Sequence, residues 1–257
     1  MAFFELKDGF SQNSRQYVLI TTVEIEKKAI KFVYFRQGNA IFSFVRSFQP
    51  ALNDDQIKQL ASKVHEFYKR EIAKLFQLAN KLRQSAIQDT SMDLLARGFL
   101  KYGMASEAIA LLDPLVQKSR DFPQSQFTLG KALISVKKYK AARKHFLHLL
   151  SGQRRYADSH FYLGLCEYNL RDCTAAFHAF AKAIEINSHY GEAYYYLGLT
   201  LLLNAILDQQ KDLTHDLCGR AKKVFLSAVK NMPELKVKQA QQGLMLIERK
   251  DFHKAYD

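Results

Sequence analysis

The sequence contains no tryptophan, and only 4 prolines and 11 glycines among 257 residues. A chain so poor in turn-forming residues is not built as a turn-rich all-β fold, and long helices are favoured instead. Three cysteines, Cys166, Cys173 and Cys218, cannot all pair within the chain. None stands in CxxC spacing or in a cysteine–histidine cluster of zinc-site spacing. A disulfide scaffold and a zinc module are therefore disfavoured, and buried free thiols in a reducing compartment are expected. The longest apolar stretch, Tyr194 to Leu207, is interrupted by Gly198, Thr200 and Asn204. It falls short of the roughly 18 uninterrupted apolar residues of a membrane span. The start, MAFFELKDGF, lacks a basic segment followed by an apolar run, so a soluble, cytoplasmic protein is expected.

Catalytic signatures are equally scarce. There is no GxSxG, no P-loop and no HExxH. His145 and His148 lie three apart without a nearby cysteine or suitably spaced acid, and Asp54-Asp55 suits a helix start, where the dipole favours acids. The expectation is a non-enzyme without cofactor or metal. What the chain has in surplus is positive charge: 38 Lys and Arg against 25 Asp and Glu, a formal +13. Short basic clusters occur at Lys137–Lys144, Arg154-Arg155 and Lys222-Lys223. Basic residues spread along helices are ordinarily solvated faces. Nucleic-acid binding through that surface is the alternative reading rather than the first.

Periodicity organises the rest. Leu163-Gly164 recurs 34 residues upstream as Leu129-Gly130 and 34 downstream as Leu197-Gly198, with Leu95-Ala96 one further step back. Twelve residues after the small residue of the first three units stands Ala108, Ala142 or Ala176, and four later Leu112, Phe146 or Phe180. Each unit thus holds two amphipathic helices joined by a short turn. A glycine inside a helix costs about 1 kcal/mol relative to alanine. Close approach of the paired helix is the expected compensation.

On these residues the sequence resembles the tetratricopeptide repeat family over about 89–257. Residues 157–190 carry Leu163, Gly164, Ala176, Phe180 and Ala183 in register, and depart at Glu167, where a tyrosine is usual, and at Ser188. The resemblance implies a mainly α solenoid with repeats 89–122, 123–156, 157–190 and 191–235, and a truncated capping repeat 236–257. The fourth repeat carries an 11-residue insert, broadly LNAILDQQKDLTH, expected to lengthen its helical hairpin.

The first helices of such repeats line a concave groove. Carried over, the inward positions place Arg97, Phe127, Lys131, Phe161, Tyr162, Leu165, Tyr168, Tyr195, Tyr196 and Leu199 there. The expected groove is basic at one end and aromatic at the other. The clamp that some family members use for acidic tails is not formed, because its places hold Asp93, Thr128 and Tyr162. The resemblance implies a protein or peptide ligand anchored by apolar and aromatic groups, for an adaptor, assembly factor or secretion-type chaperone.

Residues 1–88 resemble no known family and read as a small α/β module. Three β-like runs over about 16–48, with a QGN turn, suggest an antiparallel meander. Asn53 and Gln56 suggest a capping box opening a helix over about 54–88. Such a module is marginal alone, so it is expected to pack on the first repeat or on a second copy, which makes a homo-oligomeric scaffold a further alternative.

Overall fold

The computed structural model describes residues 4–12, 14–49, 52–84, 89–118, 122–151, 156–207, 211–232 and 234–248. The chain divides into two compact units, Met1–Ser119 and Arg120–Asp257. The helix pair of the expected first repeat thus groups with the N-terminal module.

The first unit contains four strands, β1 (Phe4–Gln12), β2 (Arg15–Glu24), β3 (Ala29–Arg36) and β4 (Asn39–Ser47), in an antiparallel meander. Sequence reading finds three. It misses β1, whose stretch FELKDGFSQ mixes charges and a glycine with few β-branched residues. Its inward-facing alternation, Phe4, Leu6, Asp8 and Phe10, is interrupted by the aspartate. The β3–β4 hairpin turns at Gln37 and Gly38, both at positive φ.

Helix α1 (Asp54–Gln84) covers one face of the sheet. It opens on reciprocal bonds: the Asn53 amide donates to Gln56 Oε1 at 3.0 Å, and the Gln56 amide to Asn53 Oδ1 at 2.9 Å. Beside it lie α2 (Asp89–Lys101) and α3 (Ala105–Lys118). A column of rings joins these layers. Phe10, Tyr17 and Tyr34 stack across β1, β2 and β3, Tyr17 and Tyr34 at 5.6 Å and 7°. Phe76 of α1 meets Tyr17 at 5.5 Å and Phe99 of α2 at 5.5 Å.

A buried carboxylate completes the first unit. Glu107, in the first turn of α3, accepts from Tyr17 Oη at 2.7 Å and from Arg15 Nη1 at 2.7 Å. Arg36 Nη1 reaches its other oxygen at 3.1 Å. Burial alone would push this carboxyl up, but the tyrosine hydrogen bond and the two guanidiniums outweigh it and hold Glu107 below the usual carboxylate range. The sheet therefore packs on the helix pair 89–118, one of the two partners expected from the sequence.

The second unit consists of α4 (Pro123–Ser135), α5 (Tyr139–Ser151), α6 (Ala157–Asn169), α7 (Cys173–Ile186), α8 (Gly191–Leu207), α9 (Lys211–Asn231) and α10 (Glu234–Glu248). The repeated glycines have a clear packing role. A methyl group built on Gly130 would lie 2.5 Å from the Phe146 ring, one on Gly164 2.6 Å from Phe180, and one on Gly198 2.8 Å from Phe225. No real methyl sits that close, so the aromatic ring of each second helix occupies the space a side chain would need. Phe225 is clasped twice, because a methyl on Gly243 of α10 would come within 2.7 Å of it. Ala255, the other residue in register there, lies outside the described residues.

The turns repeat as strictly as the rings. Gly103, Lys137 and Arg171 all take positive φ at intervals of 34 residues. The backbone amides of Met104, Lys138 and Asp172, one residue on, close the same bond to Phe99, Leu133 and Glu167. Only the first unit supplies glycine at this left-handed position.

Candidate functional site

Within the second unit the first helices approach one another directly, α4 with α6, α6 with α8 and α8 with α10. Among the described residues no comparable approach joins α5 with α7 or α7 with α9. Elements brought closer on one side curve the stack toward that side, so the first helices form its inner face. The expected site residues of this unit lie on three of them: Phe127 and Lys131 on α4; Phe161, Tyr162, Leu165 and Tyr168 on α6; Tyr195, Tyr196 and Leu199 on α8.

The rings form a connected ladder. Phe127 meets Tyr162 edge-on at 5.3 Å, and Tyr162 meets Phe161 at 5.3 Å. Phe161 meets Tyr196 at 5.7 Å, and Tyr196 touches Tyr195 at 5.3 Å and Tyr168 at 6.0 Å. Lys131 Nζ lies 5.7 Å from the Phe127 ring centre and 5.3 Å from that of Tyr162, a cation over two aromatic faces. Burial, with Tyr196 and Tyr168 alongside, pushes the Tyr195 hydroxyl up, so it stays neutral as a donor.

Two of the expected residues are corrected by burial. Phe161 is 7% exposed and Leu199 9%, each within a core cluster. Their side chains are spent on the fold, and they back the surface rather than form it. Phe127, Lys131, Tyr162, Leu165, Tyr168, Tyr195 and Tyr196 are half-buried. Sequence reading also misses what holds the tyrosines: Tyr162 stacks on Phe146 at 5.7 Å and 13°, and Tyr196 on Phe180 at 5.9 Å and 21°. The signal is present, since both phenylalanines are repeat residues, but the repeat pattern specifies only their packing within one unit.

Arg97 belongs to the first unit. Its Nη2 lies 2.7 Å from Asp93 Oδ2, one turn earlier on α2, so its charge is compensated locally. Lys131 is the one basic residue of α4, and α6 and α8 carry neither lysine nor arginine. The inner face is thus more aromatic and less basic than its expected pattern. Within the second unit, basic residues gather instead on α5, with Lys140, Arg143 and Lys144 and no acid, and on α9, with five Lys and Arg against two Asp.

Other polar clusters serve the fold. Thr21 Oγ1 lies 2.9 Å from His65 Nδ1, and Asp8 Oδ2 lies 3.1 Å from Nε2. The order matches a nucleophile, base and acid, but Thr21 is fully buried at the sheet–helix interface, with no approach for a substrate. The three cysteines are free and buried, and burial pushes the Cys166 thiol up to about 12. Glu167, standing where the repeat usually has tyrosine, is buried, with Oε1 at 3.2 Å from Arg143 Nε. Burial raises its carboxyl despite that partner. Among the described residues, no group of three or more His, Cys, Asp or Glu could hold a metal, and no helix is long and apolar enough to cross a membrane.

Comparison with solved structures agrees with this geometry. TTC0263, a thermophilic TPR protein of Thermus thermophilus, matches with a TM-score of 0.53 at 17% identity, over 73% of this chain and 97% of that one. The fold is that of the tetratricopeptide repeat. MamA of Desulfovibrio magneticus RS-1 matches with a TM-score of 0.52 at 14% identity, over 74% and 99% of the two chains. YrrB, described as a TPR protein with an unusual peptide-binding site, matches at 0.50 and 15%, over 71% and 85%. No protein-family model matches the chain, and no curated protein matches it in sequence. In tetratricopeptide-repeat terms, Glu167 is a substitution that keeps its place buried, and α8 and α9 form a longer hairpin than α6 and α7.

Proposed function

We propose that the second unit is a protein-interaction module that binds an apolar segment, anchored by aromatic or aliphatic side chains, on its inner face. The observation that carries this reading is the ring ladder from Phe127 to Tyr195 on three consecutive first helices, half-buried at every ring except the buried Phe161. Half-buried rings held rigid by neighbours lose little entropy when a partner covers them, and such residues dominate interface energies. Lys131 would meet an acidic or carbonyl-rich flank of the ligand. The peptide-binding description of YrrB supports the reading by analogy of fold. In this reading repeats 123–156, 157–190 and 191–235 form the binding stack, 236–257 caps it, and the protein acts as an adaptor, assembly factor or chaperone.

The test must spare Tyr162 and Tyr196, which the fold uses. Lys131→Ala with Tyr168→Ser should keep the helical circular-dichroism signal. It should lose most of the protein partner captured from native lysate by the unaltered chain. A folded double variant that captures the same protein equally well removes the inner face as the site. Captured material that disappears on nuclease treatment removes the protein-ligand reading in favour of the basic surface.

A further inference from the structure

We propose that the second unit carries another binding site, a cleft for a small carboxylic acid with one ring or a branched chain of similar size. It shares no residue with the aromatic ladder.

The fourth repeat builds this cleft. Helices α8 and α9 have 17 and 21 residues, against 13 and 14 in α6 and α7, so the later hairpin is longer than the one it packs on. A cleft of about 160 Å³ lies where the first turns of α7 meet the second half of α8 and the middle of α9. Its bottom is formed by Thr200, Leu201 and Leu217, all buried, and its rim by Phe177, Asn204 and Arg220. Thr200 Oγ1 donates to the Tyr196 carbonyl at 2.7 Å, which leaves the bottom without an uncommitted hydroxyl donor. An apolar cavity of about 150 Å³ holds one benzene ring, so the size suits a phenyl group.

The rim adds the polar half. The Arg220 guanidinium lies over the Phe177 face at 5.6 Å. Asp216, one turn earlier on α9, pairs with it at 3.8 Å, too far for a hydrogen bond, and both side chains are largely exposed. The Asn204 amide has no hydrogen-bond partner among the described residues. The Asn204 amide, the Thr174 hydroxyl and an Arg220 guanidinium held only by a long ion pair and a ring face therefore border an apolar recess. A carboxylate attached to a ring would accept from the planar guanidinium while the ring displaced water from Leu201 and Leu217.

Titration of the 257-residue chain with 3-phenylpropionate, followed by amide NMR, tests this. Shifts are expected to centre on Phe177, Thr200, Asn204 and Arg220. The uncharged 3-phenylpropionamide should bind at least about five-fold more weakly, as loss of a charge-assisted pair requires. Arg220→Gln, at an exposed position that should not disturb folding, should reduce the acid to the affinity of the amide. Propionate, lacking the ring, should cause no localised shifts. Equal affinity for acid and amide, no effect of Arg220→Gln, shifts centred instead on Lys131 and Tyr162, or no shifts up to about 10 mM ligand would each overturn the proposal.

Discussion

The two units of this chain hold their helix pairs with different chemistry. In the first, the sheet is tied to α3 by one carboxylate that gathers Arg15, Arg36 and Tyr17, beside a stack of rings that occurs once. In the second, one contact recurs within three successive helix pairs, a phenylalanine ring lying on a glycine, at Gly130, Gly164 and Gly198. A polar clamp concentrates stability in a few atoms. A repeated apolar contact distributes it along the chain. The comparison implies that single substitutions should act locally and in distinct ways in the two units.

The largest effect is expected from Glu107→Ala. Removing one partner from a buried ion cluster costs roughly 3–5 kcal/mol, and about 3 kcal/mol is expected, because Arg15 and Arg36 keep 38% and 22% exposure and can recover some hydration. Hydrogen exchange should accelerate in β2, β3 and α3 and remain unchanged in α6 and α7. Acid should mimic the substitution. Because folding holds the Glu107 carboxyl below its ordinary value of 4.5, its contribution is present above that value and lost as pH falls below it.

A smaller effect is expected from Gly164→Ala. Alanine is the better helix former by about 1 kcal/mol, yet the methyl would meet the Phe180 ring, and overpacking costs typically 1–3 kcal/mol. A net loss of about 1 kcal/mol should appear in urea denaturation. Phe180→Leu in the same chain should cost less than the sum of the two single changes, the coupling expected of residues in contact. Strict additivity would mean that the glycine is not there for the ring. The first repeat already shows the paired exchange, since it carries Ala96 and Leu112 at the corresponding places.

The smallest effect has the opposite sign. Lys137 holds φ at 60°, a left-handed conformation that costs a side-chain-bearing residue roughly 1–2 kcal/mol. Lys137→Gly, partly offset by the extra freedom of glycine in the unfolded chain, should stabilise the second unit by about 0.5 kcal/mol. A thermal melt that falls instead of rising would count against strain at this turn.

Much of the second unit is legible in the sequence because its packing rule recurs at one interval. Gly130, Gly164 and Gly198 can be lined up with Ala142, Ala176 and the phenylalanines without any coordinates. The ladder is legible only as positions. The sequence does not say that Phe161 turns into the core while Tyr162 stays at its edge, since neighbouring residues on a helix differ by a rotation that packing fixes. The left-handed turn is hidden because Lys137 and Arg171 are not residues that announce positive φ. The first unit is less legible for the opposite reason. Glu107 and its three donors are separated by 71 to 92 residues, and a cluster that occurs once leaves no period to find. The aspartate that hides β1 is there to serve His65 and Lys69.

The rings of the second unit each serve two masters. Phe146 fills the gap at Gly130 and also stacks on Tyr162 of the following repeat, and Phe180 does the same for Gly164 and Tyr196. No module can therefore be excised from the middle without orphaning an aromatic on one side and exposing a hollow on the other. Evolution or an engineer could shorten this array only by unfastening it from an end, like a zip.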